Sequence, residues 1–154
     1  MEQLPDNDCY IVRLTTKQVL DGWDWIYSSI AKSLPPGIKE DETVKASLIQ
    51  SVQSNDLTVW AAYQVKDGKG DVIGIMSTRV VYDTIAKQKT LLIYSLTAIK
   101  SLLPIVWNKG LKALKQLCKQ DDIKSIIAYT RLEKLAQFSK NYGGIIHYVV
   151  ELEV

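Results

Sequence analysis

The side chains that could act in catalysis are few, and they do not form a recognised catalytic pair in the sequence. His147 is the only histidine, and no G-x-S-x-G turn supplies a nucleophile for it. We therefore expect His147 to be packed within a strand. Cys9 and Cys118 lack the CxxC spacing of a metal or redox site, which predicts two buried, reduced thiols and no metal. The sequence has neither a Walker loop nor G-x-G-x-x-G.

Basic side chains are concentrated in the later part of the chain. Residues 1–56 contain nine acidic and five basic side chains, whereas residues 57–154 contain eight acidic and fourteen basic ones. This asymmetry fits a phosphate-bearing ligand, a nucleic acid or an acidic partner, and it fits a solvated lysine face equally well. Because only three of the basic residues are arginines, we do not expect nucleic-acid binding.

The length and composition are those of one globular domain. The 154 residues are 47% hydrophobic, and the hydrophobic residues are spread along the chain, which predicts a single domain over residues 1–154. No uncharged run is longer than ten residues, the length of residues 90–99, which is far shorter than the roughly twenty residues of a transmembrane helix. The first eight residues carry three acids and no base, so we expect a cytoplasmic location without membrane association.

The first half of the chain shows a strand, two helices and a hairpin. Residues 10–14 alternate as a strand does, and a helix follows from Thr15 or Thr16 to the proline pair at 35–36. A second helix is predicted over residues 42–53. The strand-like runs at 57–65 and 72–82 are joined by Asp67 and Gly68, which favour a tight hairpin.

The second half alternates strands and helices. In order, we predict a strand at 89–99, a helix from Pro104, a strand buried on both faces at 123–130, a helix at 132–142 and a last strand at 145–154. The helix from Pro104 is the best defined, because Trp107, Leu111, Leu114 and Cys118 follow one helical stripe. An antiparallel meander followed by a strand–helix–strand step predicts an α/β (α+β) fold with a mixed, mostly antiparallel sheet and helices on both faces.

This order of elements resembles the GNAT superfamily of acetyl-CoA-dependent N-acyltransferases over essentially the whole chain. The best local match is residues 132–146, where Phe138, Lys140 and Gly143 fall at the steps of the family's last helix and the turn after it. The chain is also similar to small GNAT-like proteins of short-tailed phages in being rich in lysine and poor in motifs. That second resemblance implies a location in the host cytoplasm or the virion.

The loop after the fourth strand departs from the family pattern. GNAT proteins place a Gln/Arg-x-x-Gly-x-Gly/Ala turn there, whose glycines let backbone amides approach the pyrophosphate of acetyl-CoA. Here the sequence runs from Thr97 to Pro104 without a glycine, and Pro104 lacks an amide proton. The resemblance implies that Lys100, Ser101 and Lys109 hold phosphates instead, and that backbone groups from Ser95 to Thr97 align the pantetheine and polarise the acetyl carbonyl.

The acid–base residues of the family are also replaced. The tyrosine that commonly protonates the departing CoA thiolate aligns with Ser139, which is a poor general acid. Residues 72–96 contain no carboxylate except Asp83 in a turn, so the amine has no strand glutamate to deprotonate it. The remaining candidates for proton transfer are Tyr94 and Tyr129, and an aromatic side chain in a strand is more often part of the core.

Two functions remain open at this level. One is transfer of an acetyl group from acetyl-CoA to an amine of a small molecule or a protein. The other is a non-catalytic GNAT-fold binding protein or phage structural component, in which Leu102, Leu103 and Trp107 fill the cofactor cleft. The second predicts a protein partner or a homo-oligomer, and Trp25, which lies off the stripe of its helix, is the best candidate for an exposed contact.

Overall fold

The structure consists of five strands and five helices in the residues that it describes. It is a computed structural model in which residues 8–100, 104–131 and 133–154 are described. The elements are β1 (Cys9–Arg13), α1 (Thr16–Asp21), α2 (Trp23–Ala31), α3 (Glu42–Gln53), β2 (Thr58–Lys66), β3 (Lys69–Asp83), β4 (Gln88–Ala98), α4 (Pro104–Gln120), β5 (Ile123–Ala128) and α5 (Glu133–Lys140).

The strands form one mixed sheet in the order β1-β2-β3-β4-β5. The first four strands pair antiparallel, and β5 pairs parallel to β4 after the crossover through α4. Asp67 and Gly68 both have positive φ in the β2–β3 turn, as the tight-hairpin prediction requires. The predicted mixed, mostly antiparallel sheet is therefore confirmed.

Helices cover both faces of this sheet, as predicted. Alternation along β2 sends Val59 and Ala61 to one face and Trp60 and Ala62 to the other. On the first face, the buried side chains of α1, α2 and α3 that meet the sheet are Val19, Ile26, Tyr27, Ile30, Leu48 and Val52. On the second face, α4 contributes Val106, Leu114 and Cys118. Both cysteines are free and buried, as expected.

The predicted first helix is divided in two at Gly22. Thr15 starts α1 with a capping box, in which its hydroxyl accepts from the Gln18 amide and the Gln18 side chain accepts from the Thr15 amide. At Gly22 an added Cβ would lie 2.5 Å from Nε1 of Trp25, so a larger residue would require the exposed Trp25 side chain to move. One continuous amphipathic stripe in the sequence therefore folds as two short helices.

Three predictions for the end of the chain are wrong. β5 is exposed over most of its length rather than buried on both faces, because it is the edge strand and has a single neighbour. Residues 145–154 form no strand, and His147 is exposed rather than packed. These residues contact the loop after α2, where Glu151 accepts from the Gly37 amide at 2.8 Å and Glu153 pairs with Lys39 at 2.8 Å.

Two further observations apply to the described residues alone. No helix among them is both long and apolar enough to cross a membrane. Within the same ranges, histidine, cysteine and carboxylate side chains nowhere come together in a group of three that could bind a metal ion.

Candidate functional site

The candidate site lies where β4 and β5 part, which we call the β4–β5 cleft. Parallel pairing begins at Lys89 and Ile123 and ends at Ile93 and Ala128, but β4 continues to Ala98. In the described residues, the edge of β4 from Tyr94 to Ala98 therefore has no strand beside it on the β5 side. An unpaired strand edge presents backbone donors and acceptors to a ligand.

A β-bulge marks the same point of β4. Ser95 pairs with Ser77 and Ile93 with Thr78, so Tyr94 is an extra residue without a partner on β3. Bulges bend a strand and redirect side chains, and they are frequent beside functional sites. The bulge and the end of the β5 pairing thus coincide at one residue.

The two candidate tyrosines are the first residues beyond the last parallel pair. Tyr94 is half-buried and packs against the core under α2. Burial raises the pKa of its phenol, and the nearby Arg79 opposes part of this effect. Tyr129 follows β5 directly and is 46% exposed. The register brings both tyrosines to the mouth of the β4–β5 cleft.

A relay of three hydrogen bonds joins the end of α2 to β4. The Leu96 amide donates to Ser33 Oγ at 3.1 Å, and Ser33 Oγ lies 3.0 Å from Thr97 Oγ1. The Thr97 hydroxyl donates its only proton to the Ser29 carbonyl at 2.6 Å. Ser33 must therefore be the donor in its hydrogen bond with Thr97. The Leu96 amide is thus paired with the hydroxyl of Ser33, just after α2, rather than with a strand.

The neighbouring side chain of Ser95 is turned into the core. Ser95 and Ser77 are both buried, and their hydroxyl groups are hydrogen-bonded to each other across β3 and β4. A buried hydroxyl needs such a partner, since leaving it unpaired costs about 1–3 kcal/mol. Of the residues Ser95 to Thr97, it is therefore the backbone that can face a ligand in the β4–β5 cleft.

The amides directly after β4 are directed at β3. The amides of Ile99 and Lys100 both donate to the Ile73 carbonyl, at 2.9 and 3.2 Å. The Lys100 ammonium lies 3.4 Å from a carboxylate oxygen of Asp71, and both side chains are exposed. An exposed pair of this kind contributes about 0–1 kcal/mol, so an incoming anion can displace it. Ser101 lies outside the described residues.

Two of the predicted site residues are placed away from β4. Lys109 on α4 donates to the Cys9 carbonyl at 2.9 Å, and Cys9 belongs to β1 at the far edge of the sheet. Ser139 on α5 donates back to the Ala136 carbonyl at 2.7 Å. The structure therefore brings Tyr94, Ser95, Thr97 and Lys100 together along β4, with Tyr129 beside them.

Ser29 and Ser33 are the site residues that sequence reasoning missed. Ser29 is buried in α2, and Ser33 lies two residues after that helix ends; the two form no sequence motif. Their partner Thr97 is more than sixty positions away along the chain, at separations of 68 and 64 residues. No local signal in the sequence marks such a contact.

Comparisons with known proteins support the architecture described above. No protein-family model matches the sequence, and no curated protein matches it. Among solved structures, a predicted acetyltransferase from Clostridium acetobutylicum with acetyl-CoA has a TM-score of 0.66 at 15% identity, covering 94% of this chain and 96% of that one. The chain therefore has the fold of the GNAT acetyltransferases.

Two further matches name the substrates of the matched proteins. An aminoglycoside acetyltransferase from an uncultured soil metagenomic sample has a TM-score of 0.65 at 13% identity, covering 95% of this chain and 97% of that one. Glucosamine-6-phosphate N-acetyltransferase from Arabidopsis thaliana has a TM-score of 0.64 at 14% identity, with the same coverage of both chains. At these identities the likeness shows the fold, and the similarity to phage proteins stays a prediction.

Proposed function

We propose that this protein binds acetyl-CoA in the β4–β5 cleft and transfers the acetyl group to an amine. The observation that carries the proposal is the edge of β4 at its bulge, which among the described residues has no strand on its β5 side from Tyr94 to Ala98 and whose Leu96 amide bonds to a side chain instead. The amides and carbonyls of a pantetheine arm can pair with such an edge as a strand would. The GNAT fold, matched to a structure with acetyl-CoA, supports the same ligand.

The residues present fit the two ends of acetyl-CoA differently. The β4 edge suits the pantetheine and the thioester, with the Leu96 amide as the donor to the acetyl carbonyl once Ser33 rotates away. The phosphates depend on Lys100, released from Asp71. This phosphate site lacks the glycine turn, so we expect an affinity below that usual for the fold.

The reaction consists of direct attack on the thioester. The amine nitrogen forms a bond with the acetyl carbon, the carbon–sulfur bond breaks, and the amine loses one proton while the CoA thiolate gains one. The phenol of Tyr94 is protonated at neutral pH and is the first candidate to give a proton to the thiolate. Burial raises its pKa, which makes it a weaker acid than an exposed tyrosine. Tyr129, which is exposed, is the second candidate for this proton transfer.

The acceptor is an amine of a small molecule or of a protein. Three matched proteins are named for an aminoglycoside, for glucosamine-6-phosphate and for the alanine of a ribosomal protein, which are all primary amines. A panel of amino sugars, aminoglycosides and peptides with free amino termini, assayed by thiol release from acetyl-CoA, tests this class. Acetylation of at least one amine above the rate of hydrolysis is the expected result.

A second function is that of a non-catalytic binding protein. It is favoured because backbone amides of the site already donate hydrogen bonds within the protein. The amides of Leu96, Ile99 and Lys100 already have acceptors in the protein. Calorimetric titration with acetyl-CoA separates the two functions. Binding that is lost when Lys100→Ala is combined with Thr97→Glu supports acetyl transfer, whereas no heat at millimolar acetyl-CoA leaves only the binding function.

A further inference from the structure

The outer side of α4 carries a concentration of positive charge. The helix contains four lysines and no carboxylate over its 17 residues, and α5 adds two lysines and one carboxylate. These two helices together therefore carry a larger positive charge than the whole chain, whose net charge is +2. A charge excess of this kind on one surface attracts an anionic partner.

Three of the α4 lysines form one exposed row, which we call the lysine stripe. Lys112, Lys115 and Lys119 recur at intervals of three and four residues, so they lie on one side of the helix, and all three are exposed. The fourth, Lys109, is directed at β1, where it donates to the Cys9 carbonyl. Among the residues that the structure describes, no carboxylate forms an ion pair with the lysine stripe. Its charge is thus available to a partner.

Aromatic contacts hold α5 beside α4, so the two helices form one surface. The ring centroid of Phe138 on α5 lies 6.1 Å from that of Trp107 and 5.1 Å from that of Tyr142. The ammonium of Lys115 lies 5.7 Å from the centroid of the Tyr142 ring, which is within cation–π range. Lys140 is exposed at the end of α5, two positions before Tyr142, and adds its charge to the same surface.

The composition of this surface favours an acidic protein over a nucleic acid or a membrane. Neither helix contains an arginine, the residue that pairs most specifically with phosphates and with base edges. The apolar side of α4, with Val106, Leu114 and Cys118, is buried against the sheet and cannot enter a lipid surface. We therefore take carboxylates of a protein as the complementary charges.

The β4–β5 cleft indicates what such a protein carries. The edge of β4 suits a pantetheine arm, but the chain has no glycine from Lys100 to Lys109, so the turn that would hold the pyrophosphate of CoA is missing. Lys100, at the end of β4, can meet a single phosphate once it leaves Asp71. The phosphopantetheine arm of a carrier protein has a single phosphate and no nucleotide. The cleft thus suits that arm better than it suits CoA.

We propose that the acetyl donor is a small acidic carrier protein, which docks on the lysine stripe and inserts its phosphopantetheine arm into the β4–β5 cleft. This inference rests on the acetyl transfer proposed above and names its donor. Because α4 begins at Pro104, four residues after Lys100, the helix that bears the lysine stripe starts beside the phosphate end of the cleft. Attraction between the lysine stripe and the carrier replaces the affinity that a glycine turn would supply.

The chemical step is the same as with a small donor. The amine nitrogen forms a bond with the acetyl carbon, and the carbon–sulfur bond of the carrier thioester breaks. The carrier thiolate takes the proton that the amine loses, so the carrier leaves with a free thiol on its arm.

Kinetics with three acetyl donors test the proposal. The donors are an acetylated bacterial acyl carrier protein, acetyl-phosphopantetheine and acetyl-CoA, each assayed with the same amine. The carrier is expected to give a kcat/KM at least tenfold above that of either small donor. Lys112→Glu combined with Lys119→Glu should remove this advantage through KM and leave the reaction with acetyl-phosphopantetheine unchanged. A kcat/KM for acetyl-CoA equal to that for the carrier would overturn the proposal and leave acetyl transfer itself intact.

A second double variant controls for the change in net charge. Lys17→Glu combined with Lys87→Glu reverses the same number of charges at exposed positions on α1 and in the β3–β4 turn. It should leave the reaction with the carrier unchanged. Equal losses in the two double variants would show that the lysine stripe is not the docking surface.

Binding measured without turnover separates failure of docking from failure of acetyl transfer. Calorimetric titration with the holo carrier should show binding that Lys112→Glu with Lys119→Glu weakens at least tenfold, and the apo carrier, which lacks the arm, should bind more weakly. Such binding without any acetyl transfer would support the docking and contradict the proposed reaction. Absence of binding, equal binding of the apo and holo carriers, or tighter binding of duplex DNA or of phosphatidylglycerol vesicles at the same salt concentration would overturn the docking.

Discussion

The two halves of the molecule differ in how their structure is held together. The face of the sheet under α1, α2 and α3 is a continuous core, in which Ile26, Ile30 and Ile75 are almost completely buried. In contrast, α5 has no buried residue, and β5 is exposed over most of its length. The β4–β5 cleft lies between these regions, so one wall of the proposed site is rigid and the other is loosely supported.

The largest predicted effect is a difference between the two regions in how much a truncated side chain lowers the free energy of unfolding. Ile30→Ala removes a completely buried side chain and is expected to lower the free energy of unfolding by about 2–5 kcal/mol. Ile127→Ala removes a side chain that is 46% exposed on β5 and should cost about 0.5 kcal/mol. Urea unfolding of both variants measures the difference, and equal losses would show that β5 is packed as tightly as the core.

The second prediction compares the two walls of the cleft in catalysis. Tyr94→Phe removes the half-buried phenol on the rigid wall and should lower kcat by about a hundredfold, the usual size of a general-acid effect. Tyr129→Phe on the exposed wall should lower it less. Tyr10→Phe on the far edge strand β1 is the control and should leave kcat unchanged. A larger loss at Tyr129 would reverse the assignment of the two tyrosines.

The third prediction concerns the relay between α2 and β4. Ser33→Ala removes the acceptor of the Leu96 amide and the donor to Thr97, so the free energy of unfolding should fall by about 1–2 kcal/mol. The same change frees the Leu96 amide, and the affinity for acetyl-CoA should rise. Ser28→Ala, at an exposed position of α2, should change neither quantity. Lower stability with unchanged or weaker affinity would mean that Ser33 does not compete with the ligand.

The smallest effect should appear at alkaline pH. Burial raises the pKa of both Tyr27 and Tyr94 above the ordinary value of 10.0, and for Tyr27 the hydrogen bond to Glu40 adds to this. The folded state therefore holds these protons more tightly than the unfolded state does. Stability from this source is complete below about pH 10 and is lost as the pH rises through the folded pKa values. Tyr27→Phe should flatten that loss in thermal unfolding between pH 9 and 11, and an unchanged slope would contradict it.

The sequence predicted the well-packed region better than the exposed one. The stripe Trp107, Leu111, Leu114 and Cys118 predicted α4, and Leu114 and Cys118 are indeed buried against the sheet. Helical periodicity succeeds there because the burial pattern is contained in one local segment. The burial of β5 and the pairing of residues 145–154 depend instead on which elements lie beside them in the fold. An apolar run looks the same in the sequence whether it becomes an edge strand or a central strand, so the sequence did not distinguish the two.

The candidate site could be predicted only in part. The residues along β4, with Tyr94, Ser95, Thr97 and Lys100, follow from the resemblance in element order. The bulge at Tyr94 and the contact of Ser33 with Leu96 depend on register and on residues distant in the chain. Lys109 was predicted from its charge near a helix start, but charge alone did not predict the direction of its side chain toward Cys9.

The central claim is that the edge of β4 after the bulge binds acetyl-CoA. Amide resonances of the ¹⁵N-labelled protein, followed during titration with acetyl-CoA, test it most directly. The account predicts saturable shifts at Leu96 and Thr97, with no change at Tyr10 and Val12 on β1. Shifts that are absent along β4 at millimolar acetyl-CoA, or that appear first on β1, would contradict it.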